Sequence, residues 1–164
     1  MGRRPTKAAG NPLCKARIEA AKYNERLYTK EYAAEMLGIS PSSLSDYELG
    51  VTKIVPPDMI IKMADLYNAP ELKNYYCREV CPLGCDVAKV ELDDLDRITV
   101  KALSTFRKIS ETKELLLDIT DDGKISEEER PALQKILDTL DELVAVSQNL
   151  KIWVEKNLEW EGVS

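Results

Sequence analysis

Apolar positions recur at helical spacing along most of the chain. Ala16, Ala20 and Tyr23, with Ile18 and Leu27 beside them, form a stripe that predicts a helix over residues 12–27, opened by Pro12 in its first turn. Thr29 then reads as the N-cap of a short helix from Lys30 to Leu37, whose Ala33, Ala34 and Leu37 share one face and which Gly38 ends. Ser40 is a second N-cap, Pro41 takes the first helical position, and Gly50 lies just beyond the end of this third helix, 41–49. Pro56 and Pro57 open a fourth helix with Met59, Ile60, Met63, Ala64 and Tyr67 facing inward. Pro70 opens a fifth, which runs to about Tyr76.

The pattern breaks over residues 77–92, where Pro82, Gly84 and Asp86 punctuate a linker. Beyond it, over 93–164, two long stripes predict an antiparallel helical hairpin. Leu95, Ile98, Ala102, Phe106, Ile109, Leu116 and Ile119 mark one helix face; Leu133, Ile136, Leu140, Leu143, Ser147, Leu150 and Val154 mark the next in nearly heptad register. A hairpin buries one side of each helix, so Leu137, Val144, Ile152, Trp153 and Trp160 need another surface. A two-fold homodimer through 93–164 supplies it most simply; a monomer folded back on its own first domain is the alternative.

Charge sharpens this division. Residues 1–90 hold 13 Lys and Arg against 11 Asp and Glu, a net of +2, whereas 91–164 hold 10 against 18, a net of −8. Arg3, Arg4 and Lys7 make residues 1–10 a basic flexible arm. Histidine is absent, which removes imidazole-based triads, dyads and zinc sites. The seven glycines are too scattered for a phosphate-cradling loop, and no nucleophile has a base beside it, so an enzyme is not expected. No apolar run approaches the roughly 18 residues of a membrane span, and no secretory signal opens the chain, which predicts a cytoplasmic protein with no membrane partner.

Two short helices joined by a three-residue turn containing glycine follow the helix-turn-helix plan. Thr29-x-x-x-Ala33-Ala34-x-x-Leu37-Gly38-Ile39-Ser40, Leu44 and Ser45, Glu48-x-Gly50, and Met63-Ala64-x-x-Tyr67 together resemble the XRE or Cro-type, lambda-repressor-like regulators over residues 11–76. The resemblance implies an all-α chain: a five-helix DNA-binding domain followed by the hairpin. It implies a transcriptional regulator, a repressor in the first instance, whose partner is double-stranded DNA. The third helix would lie in the major groove with Ser40, Pro41, Ser42, Ser43 and Asp46 toward the bases, while Thr29, Lys30, Thr52 and Lys53 meet phosphates. It also implies an Arg17–Glu48 salt bridge within the scaffold. The groove face departs from the pattern, because it carries no Arg, Gln or Asn and Asp46 adds a negative charge. That departure keeps open a second function, a protein-interaction adaptor or antirepressor built on the same fold.

Two further motifs bear on cofactors, of which none is expected. Cys14, Cys77, Cys81 and Cys85 match in number a tetrahedral zinc site or an iron–sulfur cluster, and also match small buried thiols closing the first domain. The segment 118–129 places Asp118, Asp122, Gly123, Ile125, Ser126 and Glu129 at calcium-loop positions, yet Thr120 stands where a carboxylate is usual. A helix stop at Gly123 and a capping box from Ser126 to Glu129 account for the same residues.

Overall fold

The computed structural model describes residues 7–84, 87–120 and 123–158; Arg3, Arg4, Cys85, Asp86, Asp122 and Trp160, singled out above, lie outside them. The described residues contain helices and no strand. The chain forms two units that divide between Val87 and Ala88, inside the expected linker.

In the first unit, Lys7–Gly10 forms a 3-10 turn within what the sequence marks as a flexible arm, and the Asn11 amide closes it by donating to the Ala8 carbonyl at 3.0 Å. Asn11 also caps α1 (Pro12–Ala20), its Oδ1 accepting from the Leu13 amide at 2.9 Å. The helix stops seven residues short of the predicted 27. Asn24 intervenes, capping a separate 3-10 turn (Glu25–Tyr28), and Tyr23, expected on the apolar stripe, is 90% exposed. The buried positions are Leu13, Ala16 and Arg17, with Ala21 and Leu27 beyond the helix.

α2 (Lys30–Leu37) and α3 (Pro41–Leu49) begin and end where the caps predict. Gly38 and Gly50 both adopt the left-handed conformation, with φ of 72° and 68°, which costs other residues strain. At Gly50 the reversal lets the Val51 amide reach the Asp46 carbonyl at 2.9 Å. α2 meets its neighbours through Ala33 and Ala34, both fully buried, so its backbone approaches closely. α4 (Pro57–Leu66) buries Met59, Ile60, Met63 and Ala64, and Tyr67 follows them inside, as the periodicity predicts. Leu44, Met63 and Leu72 are the largest fully buried apolar side chains of this core. α5 (Glu71–Tyr75) continues past its expected end into a wider helical turn over Tyr76–Val80. Gly84 folds back against that turn so closely that a Cβ would run into the Cys77 carbonyl.

The second unit is the predicted hairpin, α6 (Leu95–Ile119) and α7 (Arg130–Asn157). Asp94 caps α6 by accepting from the Arg97 amide at 2.8 Å. The seam between the helices differs from the predicted stripes. On α6 it follows Ile98, Thr105, Thr112 and Ile119, one residue every seven, while Leu95, Phe106 and Leu116 stay exposed. On α7 it takes Ile136, Thr139 and Asn149 and leaves Leu140 and Leu150 exposed. Threonines are tolerated there because each hydroxyl donates to its own helix: Thr105 to the Lys101 carbonyl, Thr112 to Lys108 and Thr139 to Lys135, at 2.7–3.0 Å.

One edge of the seam is polar. Lys108 donates to both carboxylate oxygens of Glu142 at 2.7 Å, and Lys101 pairs with Glu91 and Asp93. The segment before α6 is tied to this edge, since the Glu91 amide donates to Asn149 Oδ1 at 2.9 Å. Between the helices, Glu129 accepts from the Ser126 amide at 2.8 Å, one half of a capping box.

Candidate nucleic-acid interface

The face that α3 presents is set by what it buries. Leu44 and Glu48, one turn apart, have no exposed surface, and Pro41, Ser42, Asp46 and Leu49 are exposed on the other side. Burying a carboxylate requires a partner. Arg17 supplies a two-pronged one: Nε lies 2.6 Å from Glu48 Oε1, and Nη2 donates to Oε2 at 3.0 Å. Its remaining nitrogen, Nη1, donates to the Leu27 and Tyr28 carbonyls at 2.8 and 3.0 Å, so one guanidinium joins α1, the 3-10 turn and α3. This is the salt bridge that the resemblance implies. Burial opposes the charge on Arg17, but the hydrogen bond and charge of Glu48 prevail and hold its pKa above the usual value.

Cys14 and Tyr67 share this environment. Burial first, and then Glu48, push the Cys14 thiol above its ordinary pKa, which makes it a poor nucleophile. The same two causes raise the buried Tyr67 hydroxyl, so it stays protonated at working pH. Cys77 is exposed and Cys81 half-buried, and among the described residues no three cysteines or carboxylates gather as metal ligands. Glu129, last in the calcium-loop pattern, is engaged on the Ser126 amide.

Of the residues expected to face a groove, Ser40, Pro41, Ser42 and Ser43 lie together at the start of α3 and Asp46 follows in its second turn. Ser40 Oγ accepts from the Ser43 amide at 3.1 Å and sits 2.9 and 2.8 Å from the hydroxyls of Ser42 and Ser43. Ser40, Pro41, Ser42 and Asp46 are exposed, and Ser43 is half-buried. The left-handed turn at Gly50 leads directly to half-buried Thr52 and exposed Lys53.

Two expected phosphate contacts are placed differently. The Lys30 ammonium turns inward, donating to Ser45 Oγ at 3.0 Å and lying 3.5 Å from Glu48 Oε2, so it braces α2 against α3. Thr29 has extended N-cap backbone, but its hydroxyl donates to the Arg26 carbonyl at 2.9 Å and leaves the first amides of α2 without a side-chain cap.

Sequence reasoning missed three contributors. Asn11 Nδ2 donates to the Tyr47 carbonyl at 3.1 Å and ties the end of α3 to the start of α1. Val51 and Ile54, 67% and 61% exposed, follow Gly50 as apolar surface. The signal for both was local, because residues that follow a left-handed glycine leave the helix core.

A family model described as helix-turn-helix matches residues 20–73, about a third of the chain. No curated protein and no solved structure matches it significantly.

Proposed function

Because residues 20–73 form an XRE-type helix-turn-helix domain of the lambda-repressor-like fold, we propose that the chain is a sequence-specific DNA-binding transcriptional regulator that inserts α3 in the major groove. The single observation that carries this reading is the two-faced character of α3. Its inner side is locked by Leu44 and the Arg17–Glu48–Lys30 cluster, and its outer side, Ser40 to Asp46, is exposed. A rod fixed in this way enters a groove without an ordering penalty.

In this reading Ser42 and Ser43 hydrogen-bond base edges, and Asp46 accepts from cytosine. Lys53, Thr52 and the uncapped first amides of α2 at Thr29 meet phosphates. Lys30 contributes by positioning α3. Occupancy of the operator alone is enough to repress, which makes repression the simplest outcome.

Fluorescence anisotropy with a labelled mixed-sequence duplex tests the proposal. Affinity is expected to fall at least tenfold between about 50 and 200 mM salt, and Lys53→Gln to reduce the slope of log K against log salt by about 1. Asp46→Asn is expected to tighten binding several-fold, since it removes a like charge near the phosphates. A protein that ignores duplex DNA at about 50 mM salt overturns the reading and favours the protein-adaptor function instead.

A further inference from the structure

The polar edge of the hairpin seam is a groove with more hydrogen-bond donors than its own acceptors engage. Lys101, Ser104 and Lys108 fall three and four residues apart on α6, and Glu142, Ala145, Val146 and Asn149 keep the same helical spacing on α7, so each helix lines one wall. Lys89 and Glu91, from the segment before α6, complete the lining. The groove holds about 390 Å³, within the size range of small-ligand sites.

Its acceptors are engaged. Both oxygens of Glu142 accept from Lys108, and Glu91 accepts from Lys101. Its donors are not exhausted, because an ammonium carries three N–H groups. Lys101 directs two to Glu91 and Asp93, and Lys108 two to Glu142, which leaves one on each. The Lys89 ammonium and the Ser104 hydroxyl hydrogen-bond no group among the described residues.

Asn149 is the decisive member. It is 6% exposed, and its Oδ1 accepts from the Glu91 amide at 2.9 Å, which fixes Nδ2 as the free end of the side chain. That Nδ2 donates to no group among the described residues. Exposed ammoniums are satisfied by bulk water, whereas a buried donor without an acceptor costs stability, so the side-chain amide marks where an acceptor belongs.

We propose that this groove binds a small organic carboxylate, whose oxygens accept from Asn149 Nδ2 and the lysine ammoniums while its apolar body lies against Ala145 and Val146. Charge selects the class. Three lysines against Glu91 and Glu142 leave the lining with one positive charge, which a monoanion neutralises. A dianionic phosphate would carry a surplus toward Asp93, which sits behind Lys101. The half-buried Ala145 and Val146, with the methylene stems of the lysines, favour an organic body over a bare ion. The ligand would join both helices to Lys89, just past the boundary at Val87, and so fasten that segment to the hairpin. The proposal is independent of whether α3 reads DNA.

Isothermal titration calorimetry of the full chain with sodium benzoate at about 0.15 M salt tests it. Saturable binding of one benzoate per chain is expected. Benzamide, similar in shape but uncharged, is expected to give no heat, and inorganic phosphate to bind at least tenfold more weakly than benzoate. Lys89→Gln is expected to weaken benzoate about tenfold. Asn149→Asp keeps an oxygen for the Glu91 amide but puts a second anionic oxygen in place of Nδ2, and is expected to abolish binding with the helical circular dichroism signal retained. Should Asn149→Asp lose that signal, Lys89→Gln decides, because its exposed side chain holds no hydrogen bond of the fold. Lys113→Gln, at a 71% exposed side chain outside the lining, is expected to leave binding unchanged. Absence of saturable heat with benzoate up to about 10 mM, equal affinity for benzamide or phosphate, or an equal loss in Lys113→Gln overturns the proposal. Because no DNA enters the titration, its failure is separable from a failure to bind duplex.

Discussion

At the scale of single residues, the molecule turns on Glu48, a carboxylate with no exposed surface at the end of the helix that matters most. Truncating its partner leaves that charge buried and short of its main counter-ion, as well as freeing the Leu27 and Tyr28 carbonyls. Arg17→Met is therefore expected to cost about 3–5 kcal/mol, measured by urea denaturation of the full chain. Arg17→Met combined with Glu48→Leu is expected to recover most of that loss, because no unpaired charge remains. The Arg17–Glu48 pairing was legible in the sequence through the family resemblance. The role of Lys30 was not. Sequence shows an ammonium beside a cap, and only packing decides whether it turns outward to solvent or inward to Ser45 and Glu48. The same holds for Cys14, whose thiol faces the Glu48 carboxylate for reasons that no cysteine spacing encodes.

At the scale of elements, boundaries written in caps were readable and faces written in periodicity were read only in part. α2 and α3 run between Thr29 and Gly38 and between Ser40 and Gly50 because the cap residues act within one turn of themselves. Ser40→Ala is accordingly expected to lower stability by about 1 kcal/mol in the same denaturation experiment, through loss of the bond from the Ser43 amide. α1 was overrun because its apolar spacing continues through Tyr23, while Asn24 starts a different turn. In the hairpin, two overlapping apolar stripes exist on each helix, and the sequence does not say which one the neighbour takes. The polar edge decides it, and acid should expose that contribution. The hydrogen bonds and charge of Lys101 hold the Glu91 and Asp93 carboxylates below their usual pKa. Depressed carboxylates stabilise the folded state above their unfolded values, near about pH 4, and that stabilisation disappears as the pH falls through the lower folded values. The difference in melting temperature between the wild type and Lys101→Met is therefore expected to shrink below about pH 4, as followed by circular dichroism.

At the scale of the whole molecule, the near-neutral first part and the acidic second part respond in opposite ways to salt. In the proposed function, binding of the first unit to phosphates weakens as released counterions become less valuable, whereas salt only screens the mutual repulsion of the acidic residues in the second. Between about 50 and 200 mM salt, anisotropy is expected to show loss of duplex affinity while the helical circular dichroism signal is unchanged. The division into these two units was legible from charge and from the break at Pro82 and Gly84. The close return of Gly84 against Cys77, just before the boundary at Val87, was not.

In the proposed function, the cluster of hydroxyls that Ser40 gathers at the start of α3 has a consequence for how operators would be ranked. A hydroxyl is a rotor that offers its proton or its lone pairs at nearly equal cost, so Ser40, Ser42 and Ser43 can trade roles without moving a heavy atom. A reader built from such rotors tolerates a purine exchanged for a pyrimidine better than one built from rigid guanidinium forks. Discrimination then passes to the bendability and groove width of the duplex, and operators would diverge in letter while converging in shape.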